Sequence, residues 1–196
     1  MKPKSLDFVL VGVGGQGTLL ASDVLAELGM RLGYDVKKAE VHGMSQRGGS
    51  VVSHLRWGAQ VFAPVIARAE ADFLIAFEKL EAARFIELLR PGGTVLVNDY
   101  CIEPVTVNSG GPAYPGDESI RTALAQVTPD AVWVKGFEIA ESLGNTRVAN
   151  VVMLGALSAR LDFDPAIWNE VLEGRVPAKY LEINRNAFNA GRAAAQ

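Results

Sequence analysis

Residues 9–25, VLVGVGGQGTLLASDVL, decide how this chain folds, because an apolar run ends in a glycine cluster that opens directly into a helical pattern. Upstream, LDFVLV (residues 6–11) is a nearly continuous apolar segment of strand length, as expected of a parallel strand buried on both faces. Downstream, Leu19, Leu20, Val24, Leu28 and Leu32 trace one helical stripe from Thr18 to Leu32, and Gly33 stands where the helix should stop. Gly12, Gly14 and Gly17 satisfy G-x-G-x-x-G between strand and helix, the context that gives the pattern meaning. Glycine allows a tight turn and close approach of backbone N–H groups to a phosphate, and the helix N-terminus favours negative charge.

A redox dinucleotide calls for an acidic residue at the end of the next strand to bind ribose hydroxyls. That strand, DVKKAEV (residues 35–41), carries Lys37 and Lys38, and its only acid near the right end, Glu40, comes late. Three readings of the loop therefore stay open: NAD or FAD, a phosphate or CoA, and a purely structural turn.

The alternation continues outward. SVVSHLRWG (residues 50–58) reads as a third strand, polar on one side, which makes His54 a solvent-facing or interface residue. ADFLIAFE (71–78) and GGTVLVND (92–99) read as strands flanking a helix from Leu80 to Leu89. The turn-rich SGGPAYPGDE (109–118) reads as a surface loop, followed by a helix from Ser119 to Val127, a strand AVWVKG (131–136) and a helix from Asn145 to Leu161. After DFDP come two helical patterns, Pro165–Leu172 and Ala178–Arg192, with no strand between them. The pattern predicts an α/β fold: a mostly parallel, Rossmann-like sheet with helices on both faces, in one domain over residues 1–196 with 162–196 as a helical C-terminal extension.

Composition narrows the function. The 196 residues are 49% hydrophobic and 21% charged with a net charge of −3, which gives no basic footprint for nucleic acid. The single cysteine, Cys101, cannot form an intrachain disulfide, as suits a reducing cytoplasm. The N-terminal apolar run leads straight into the glycine loop and reads as a strand rather than a signal peptide, and no run suits a membrane span.

A second cluster, EVHGMSQRGGS (residues 40–50), packs donors and acceptors around three glycines. A loop after the second strand lies at the C-terminal edge of such a sheet, beside the first glycine loop, where open α/β sheets bind ligands. Arg47 suits two-pronged pairing with a carboxylate or phosphate, oriented by Ser45 and Gln46; alternatively it forms a structural ion pair with Glu40. His42 is either an acid or base beside a carboxylate or a hydrogen-bonded structural histidine. The chain lacks the cysteines for an iron–sulfur cluster, histidine spacing for zinc, a G-x-S-x-G elbow and a P-loop, so it shows no self-sufficient catalytic set and no metal site.

Together GVGGQGTLLASDVLAELG and AEVHGMSQRGGSVVSHLRWG, in this order and separation, resemble the gamma-type subunit or domain of the 2-oxoacid:ferredoxin oxidoreductases, and within that family most resemble the indolepyruvate:ferredoxin oxidoreductase beta subunit. The resemblance extends through GGTVLVND and NVVMLGAL. It implies oxidative decarboxylation of an aryl 2-oxoacid such as indolepyruvate to an acyl-CoA, with ferredoxin as electron acceptor. Thiamine diphosphate, magnesium and iron–sulfur clusters are implied on a larger partner subunit. On the matching positions it places Gly12, Gly14, Gly15, Gln16 and Gly17 in the first loop. Glu40, His42, Gly43, Met44, Ser45, Gln46, Arg47, Gly48, Gly49 and Ser50 form the second. The implied roles are a subunit interface beside the thiamine site and, at the first loop, a hold on CoA phosphates; His42 and Arg47 are the catalytic candidates. A homodimer of the isolated chain through His54 and Trp57 stays open.

Overall fold

The computed structural model describes residues 5–43, 49–104, 107 and 109–195. Six strands form one sheet: β1 (Leu6–Val13), β2 (Asp35–His42), β3 (Ser50–Gly58), β4 (Ala71–Ala76), β5 (Leu89–Asn98) and β6 (Ala131–Val134), in the order β2-β3-β1-β4-β5-β6. Only β3 runs against its neighbours; it pairs antiparallel with both β1 and β2, while β1, β4, β5 and β6 pair in parallel. The predicted Rossmann-like architecture is thus present, with one reversed strand inserted beside β1.

Seven helices lie among the described residues: α1 (Thr18–Arg31), α2 (Lys79–Phe85), α3 (Asp117–Ala125), α4 (Gly136–Ser142), α5 (Ala149–Ser158), α6 (Pro165–Arg175) and α7 (Leu181–Ala194). The period-2 geometry of a strand divides β1 between two cores. Phe8 and Leu10 face α1, α5, α6 and α7 in one buried cluster, while Val9 and Val11 join Leu74, Val95 and Val97 against α2 and α3 in the other. The C-terminal helices contribute Trp168, Val171, Leu172 and Phe188 to the first cluster, so they complete the core. None of the described helices is long and apolar enough to cross a membrane.

Four boundaries move. The helix expected at Leu80–Leu89 is α2 followed by a single 3-10 turn, Ile86–Leu88, because the chain already enters β5 at Leu89. The strand expected to run to Gly136 ends at Val134, and Gly136 opens α4, a helix the apolar pattern did not reveal. Asp117 and Glu118 belong to α3 rather than to the preceding loop, where their charges meet the positive end of the helix dipole. The helix expected at Asn145–Leu161 starts as a 3-10 turn capped by the Asn145 side chain and becomes α-helical over Ala149–Ser158.

The reading of β3 as polar on one side fails, because both of its faces are covered. Ser53, Leu55 and Trp57 are fully buried on the α1 side, where Trp57 packs against Phe8, Tyr34 and Phe163. On the other side residues 61–70 cross the sheet and bury His54, whose Nδ1 accepts a hydrogen bond of 3.3 Å from the Ile66 N–H. Neither His54 nor Trp57 is therefore available for self-association.

Helices α5 and α7 meet backbone to backbone. A Cβ at Gly191 would lie 1.9 Å from the Val152 carbonyl oxygen, and one at Gly155 would lie 2.0 Å from that of Phe188. Gly191→Ala should therefore cost about 3 kcal/mol or more through overpacking, read as a lower Tm, whereas Gly116→Ala, with open space around it, should be nearly neutral. His54 supplies a pH prediction. Burial holds its pKa below the ordinary 6.5, so the unfolded chain binds the extra proton first. Stability should be fully present above about pH 6.5 and decline as the pH falls toward the lower folded value. Thermal unfolding of His54→Asn should show a smaller decline over that range.

Candidate functional site

The first glycine turn joins β1 to α1 at the point where the order of strands changes direction. β3 and β2 extend to one side of β1 and β4, β5 and β6 to the other, which opens a crevice at the C-terminal ends of the strands. Gly15 and Gly17 adopt positive φ of 107° and 79°, which L side chains adopt at a cost. Gly17 also lies under Asn150 of α5, where a Cβ would sit 2.5 Å from Nδ2. The Asn150 Nδ2 donates to the Gly17 carbonyl at 3.3 Å, and its Oδ1 accepts from the Val151 N–H at 2.9 Å. A buried amide thus ties the turn to the start of α5.

Gln16 braces the turn from the other side. Its Oε1 accepts from the Val13 N–H at 2.8 Å and its Nε2 donates to the Phe77 carbonyl at 2.7 Å. The side chain therefore links the ends of β1 and β4 while it lines the cleft beside the turn. The Gly14 N–H is also taken; it donates to the Gly49 carbonyl at 2.9 Å. What remains for a ligand is the start of α1, which has no side-chain cap, and Thr18, whose buried Oγ1 has no partner among the described residues.

The Gly14–Gly49 bond shows that the second cluster reaches the first loop. Its flanks are closed by the Gly43 N–H donating to the Ser50 carbonyl at 3.1 Å, so Gly43, Gly49 and Ser50 stand at the same sheet edge as the first loop. Ser50 Oγ donates to Glu81 Oε2, a buried carboxylate whose Oε1 accepts from Arg84 at 2.6 Å. Met44, Ser45, Gln46, Arg47 and Gly48 lie outside the described residues, and so does the His42 side chain. The Glu40 carboxylate accepts from Lys38 at 2.8 Å and from Ser22 of α1 at 3.2 Å, which holds it against the helix.

Several residues at this edge escaped the sequence reading. A cleft of about 530 Å³ is lined by the glycine turn, Phe77 after β4, Asn98 and Tyr100 at the end of β5, Phe137 of α4, and Arg147 and Asn150 beside α5. The Tyr100 and Phe137 rings stack 4.2 Å apart at 12°, a flat apolar wall. Among the described residues Arg147 has no acidic partner. Behind the cleft, Glu78 caps α2 by accepting from the Glu81 N–H at 3.0 Å, and it also accepts from the Ile102 N–H at 3.1 Å and from the Tyr114 hydroxyl. Burial, reinforced by the Glu78 carboxylate, holds the Tyr114 phenol far above its usual range, so it remains a proton donor. Asn98 and Tyr100 could have been found from their position at a strand's C-terminal end; Phe137 follows a helix start that the apolar pattern did not mark, and Arg147 lies in the first turn of the helix expected from Asn145, with no local signal that it faces this cleft.

No group of three or more His, Cys, Asp or Glu suited to a metal occurs among the described residues, and Cys101 is exposed. This edge can accept an anion and an apolar ring, and its described residues offer no paired nucleophile and base.

A sequence profile of the pyruvate ferredoxin/flavodoxin oxidoreductase family matches residues 7–194, nearly the whole chain. The chain belongs to that family. The indolepyruvate oxidoreductase subunit IorB of Pyrococcus horikoshii is 37% identical over 196 residues, covering 98% of this chain and 97% of its own length. The IorB subunit of Archaeoglobus fulgidus is 39% identical over 188 residues, covering 95% of this chain and 93% of its own. Two solved structures share the fold of this family member. The gamma subunit of a keto/oxoacid ferredoxin oxidoreductase from Geobacter sulfurreducens superposes with a TM-score of 0.70 at 23% identity, over 97% of this chain and 98% of that one. The 2-oxoglutarate:ferredoxin oxidoreductase of Magnetococcus marinus, solved with 2-oxoglutarate, coenzyme A and succinyl-CoA bound, gives 0.75 at 21% identity. It covers 99% of this chain and 31% of that one.

The internal bonds of Gln16 separate bracing from ligand contact. Gln16→Ala should lower stability by about 1–3 kcal/mol, because it orphans the Val13 N–H. Thermal unfolding of the isolated chain, without any ligand, reads this loss; a ligand-contacting side chain would leave that measurement unchanged.

Proposed function

We propose that this chain is the small subunit of a thiamine-dependent 2-oxoacid:ferredoxin oxidoreductase acting on indolepyruvate or another aryl pyruvate, in the cytoplasm, together with a larger cofactor-bearing subunit. The reading rests on the nearly full-length similarity to subunits named for indolepyruvate oxidoreductase. Residues 1–196 are read as one gamma-type domain with 162–196 as its helical extension, supported by the buried cluster that Trp168 and Phe188 share with β1.

The reaction removes carbon dioxide from the oxoacid, transfers the remaining acyl group to CoA and passes the electrons to ferredoxin. Thiamine diphosphate with magnesium, held by the larger subunit, would stabilise the negative charge that loss of carbon dioxide leaves, and iron–sulfur clusters there would carry the electrons. This chain's part is positioning. The uncapped start of α1, Gly15 and Gly17, and the guanidinium of Arg147 hold CoA phosphates at the crevice, and the Tyr100–Phe137 wall offers an apolar ring its resting place. The unpartnered Thr18 Oγ1 and the open space over Gly15 fit such an anion. Ser45, Gln46 and Arg47, carried by the second motif, orient substrate or CoA at the boundary with the larger subunit, beside His42.

The alternative, a stand-alone dinucleotide-binding oxidoreductase, needs a carboxylate for the ribose and free N–H groups in the turn. Glu40 is held by Lys38 and Ser22, and the Gly14 N–H is held by Gly49, which favours the first reading. Co-expression with the larger subunit decides between them: the pair should decarboxylate indolepyruvate with ferredoxin reduction, and the chain alone should be inactive. NAD reduction by the isolated chain would overturn the proposal. In the complex, Arg47→Ala should cost about 1.5–3 kcal/mol in CoA or oxoacid affinity or in assembly, measured as KM and as subunit Kd.

A further inference from the structure

The reversed strand leaves β2 at the margin of the sheet, paired with β3 along one side, so that the N–H and C=O groups of alternate residues along its eight-residue length face outward. We propose that β2 is the seam of a homodimer, in which two copies pair their edge strands antiparallel about a twofold axis through Ala39.

The side chains select that register. Residues opposite one another in an antiparallel pair share a face, so a twofold axis normal to the sheet must pass through a residue rather than between two. An axis at Lys38 sets Lys38 against itself, and one at Glu40 does the same for a carboxylate; like charges directly opposite are unfavourable. An axis at Ala39 overlaps residues 36–42 and sets Lys38 opposite Glu40 of the second copy, and the reverse, on the α1 side of the sheet. Lys38 already bonds Glu40 along the strand at 2.8 Å and also pairs with Asp23 of α1, so the second copy joins two such clusters into one network of six charges.

The opposite face carries independent support. There no described helix covers β2, and Val41 is 56% exposed near the C-terminal end of the strand. The segment after β3 holds Phe62 at 87% and Val65 at 59% exposure on the same face, and this exposure is not slack. The Val61 N–H donates to Asp35 Oδ2 at 2.8 Å, Arg56 donates to the Val65 carbonyl at 3.3 Å, and the Ile66 N–H is held by His54. These bonds hold the backbone on either side of Phe62 at the Asp35 end of β2, and antiparallel pairing brings that end of one copy to the Val41 end of the other. An exposed aromatic ring on a held segment, brought to an exposed valine, is the type of anchor that interfaces use. The seam lies on the far side of β3 from the crevice between β1 and β4, so it leaves the glycine turn and the Tyr100–Phe137 wall open, while it brings the His42 end of β2, next to the second motif, against the second copy.

Sedimentation equilibrium of the isolated full chain tests this, with an expected mass twice the 21.0 kDa of one chain. Lys38→Glu and Glu40→Lys should each weaken dimerisation about tenfold or more, and the double reversal should restore it. Phe62→Ser, which removes a side chain exposed in the monomer, should weaken it to a similar degree with Tm unchanged; this variant decides the matter if the charge reversals fold poorly. A chain that is monomeric at tens of micromolar, or a dimer indifferent to both Phe62→Ser and charge reversal, overturns the proposal. So does a monomer in which Phe62→Ser abolishes binding of the larger subunit, which would give this face to that subunit.

Discussion

The amide of Gln16 is the constraint on which the functional edge depends. A glycine turn at a strand end has many conformations available to it, and here one side chain removes that freedom by bonding both the strand that enters the turn and the strand beside it. With β1 and β4 joined at their C-terminal ends, the crevice between them has a fixed width. Asn150 then fixes the helix side of the same turn through the Gly17 carbonyl, and Gly49 fixes the face toward β3 through the Gly14 N–H. The turn is held from three directions before any ligand arrives, which is the preorganisation a binding site requires.

Family membership gives this architecture its context. A chain whose buried carboxylates serve as caps and braces, and whose described residues hold no metal-binding group, suits a subunit that shapes a site whose chemistry lies on another polypeptide. Glu78 and Glu81 illustrate the point. Both sit near the C-terminal edge of the sheet, where Glu78 starts α2 and Glu81 holds Ser50 at the start of β3.

The fold was legible where burial imposes a period. LDFVLV announced β1, the stripe from Leu19 to Leu32 announced α1, and the glycines between them announced the turn. Legibility failed where a tertiary neighbour, rather than the local pattern, decides the outcome. His54 alternates with apolar residues as a solvent-facing residue would, but a crossing segment that pairs with it through Ile66 is invisible from β3 alone. Gly136 reads as the end of a strand but begins α4, at a position where a Cβ would meet Asn98 Oδ1 at 2.9 Å and Met153 Sδ at 3.3 Å, neighbours that only the fold supplies. At the site, the sequence located both loops and their proximity, since motif and sheet position follow general rules. The bracing role of Gln16 was not legible, because its two partners, Val13 and Phe77, are known only from the fold. Arg147 and the Tyr100–Phe137 wall arrive from distant elements that only folding brings together.

The reversed strand has an evolutionary consequence. Because β2 and β3 form a hairpin closed by Gly43 and Ser50, the segment between them is a tether with both ends anchored in the sheet. Lengthening such a tether is cheap, with each doubling costing only about 0.6 kcal/mol, and it need not disturb the register of either strand. A fold of this kind can retain its scaffold while that segment diverges to match different companions, so specificity can drift faster than architecture.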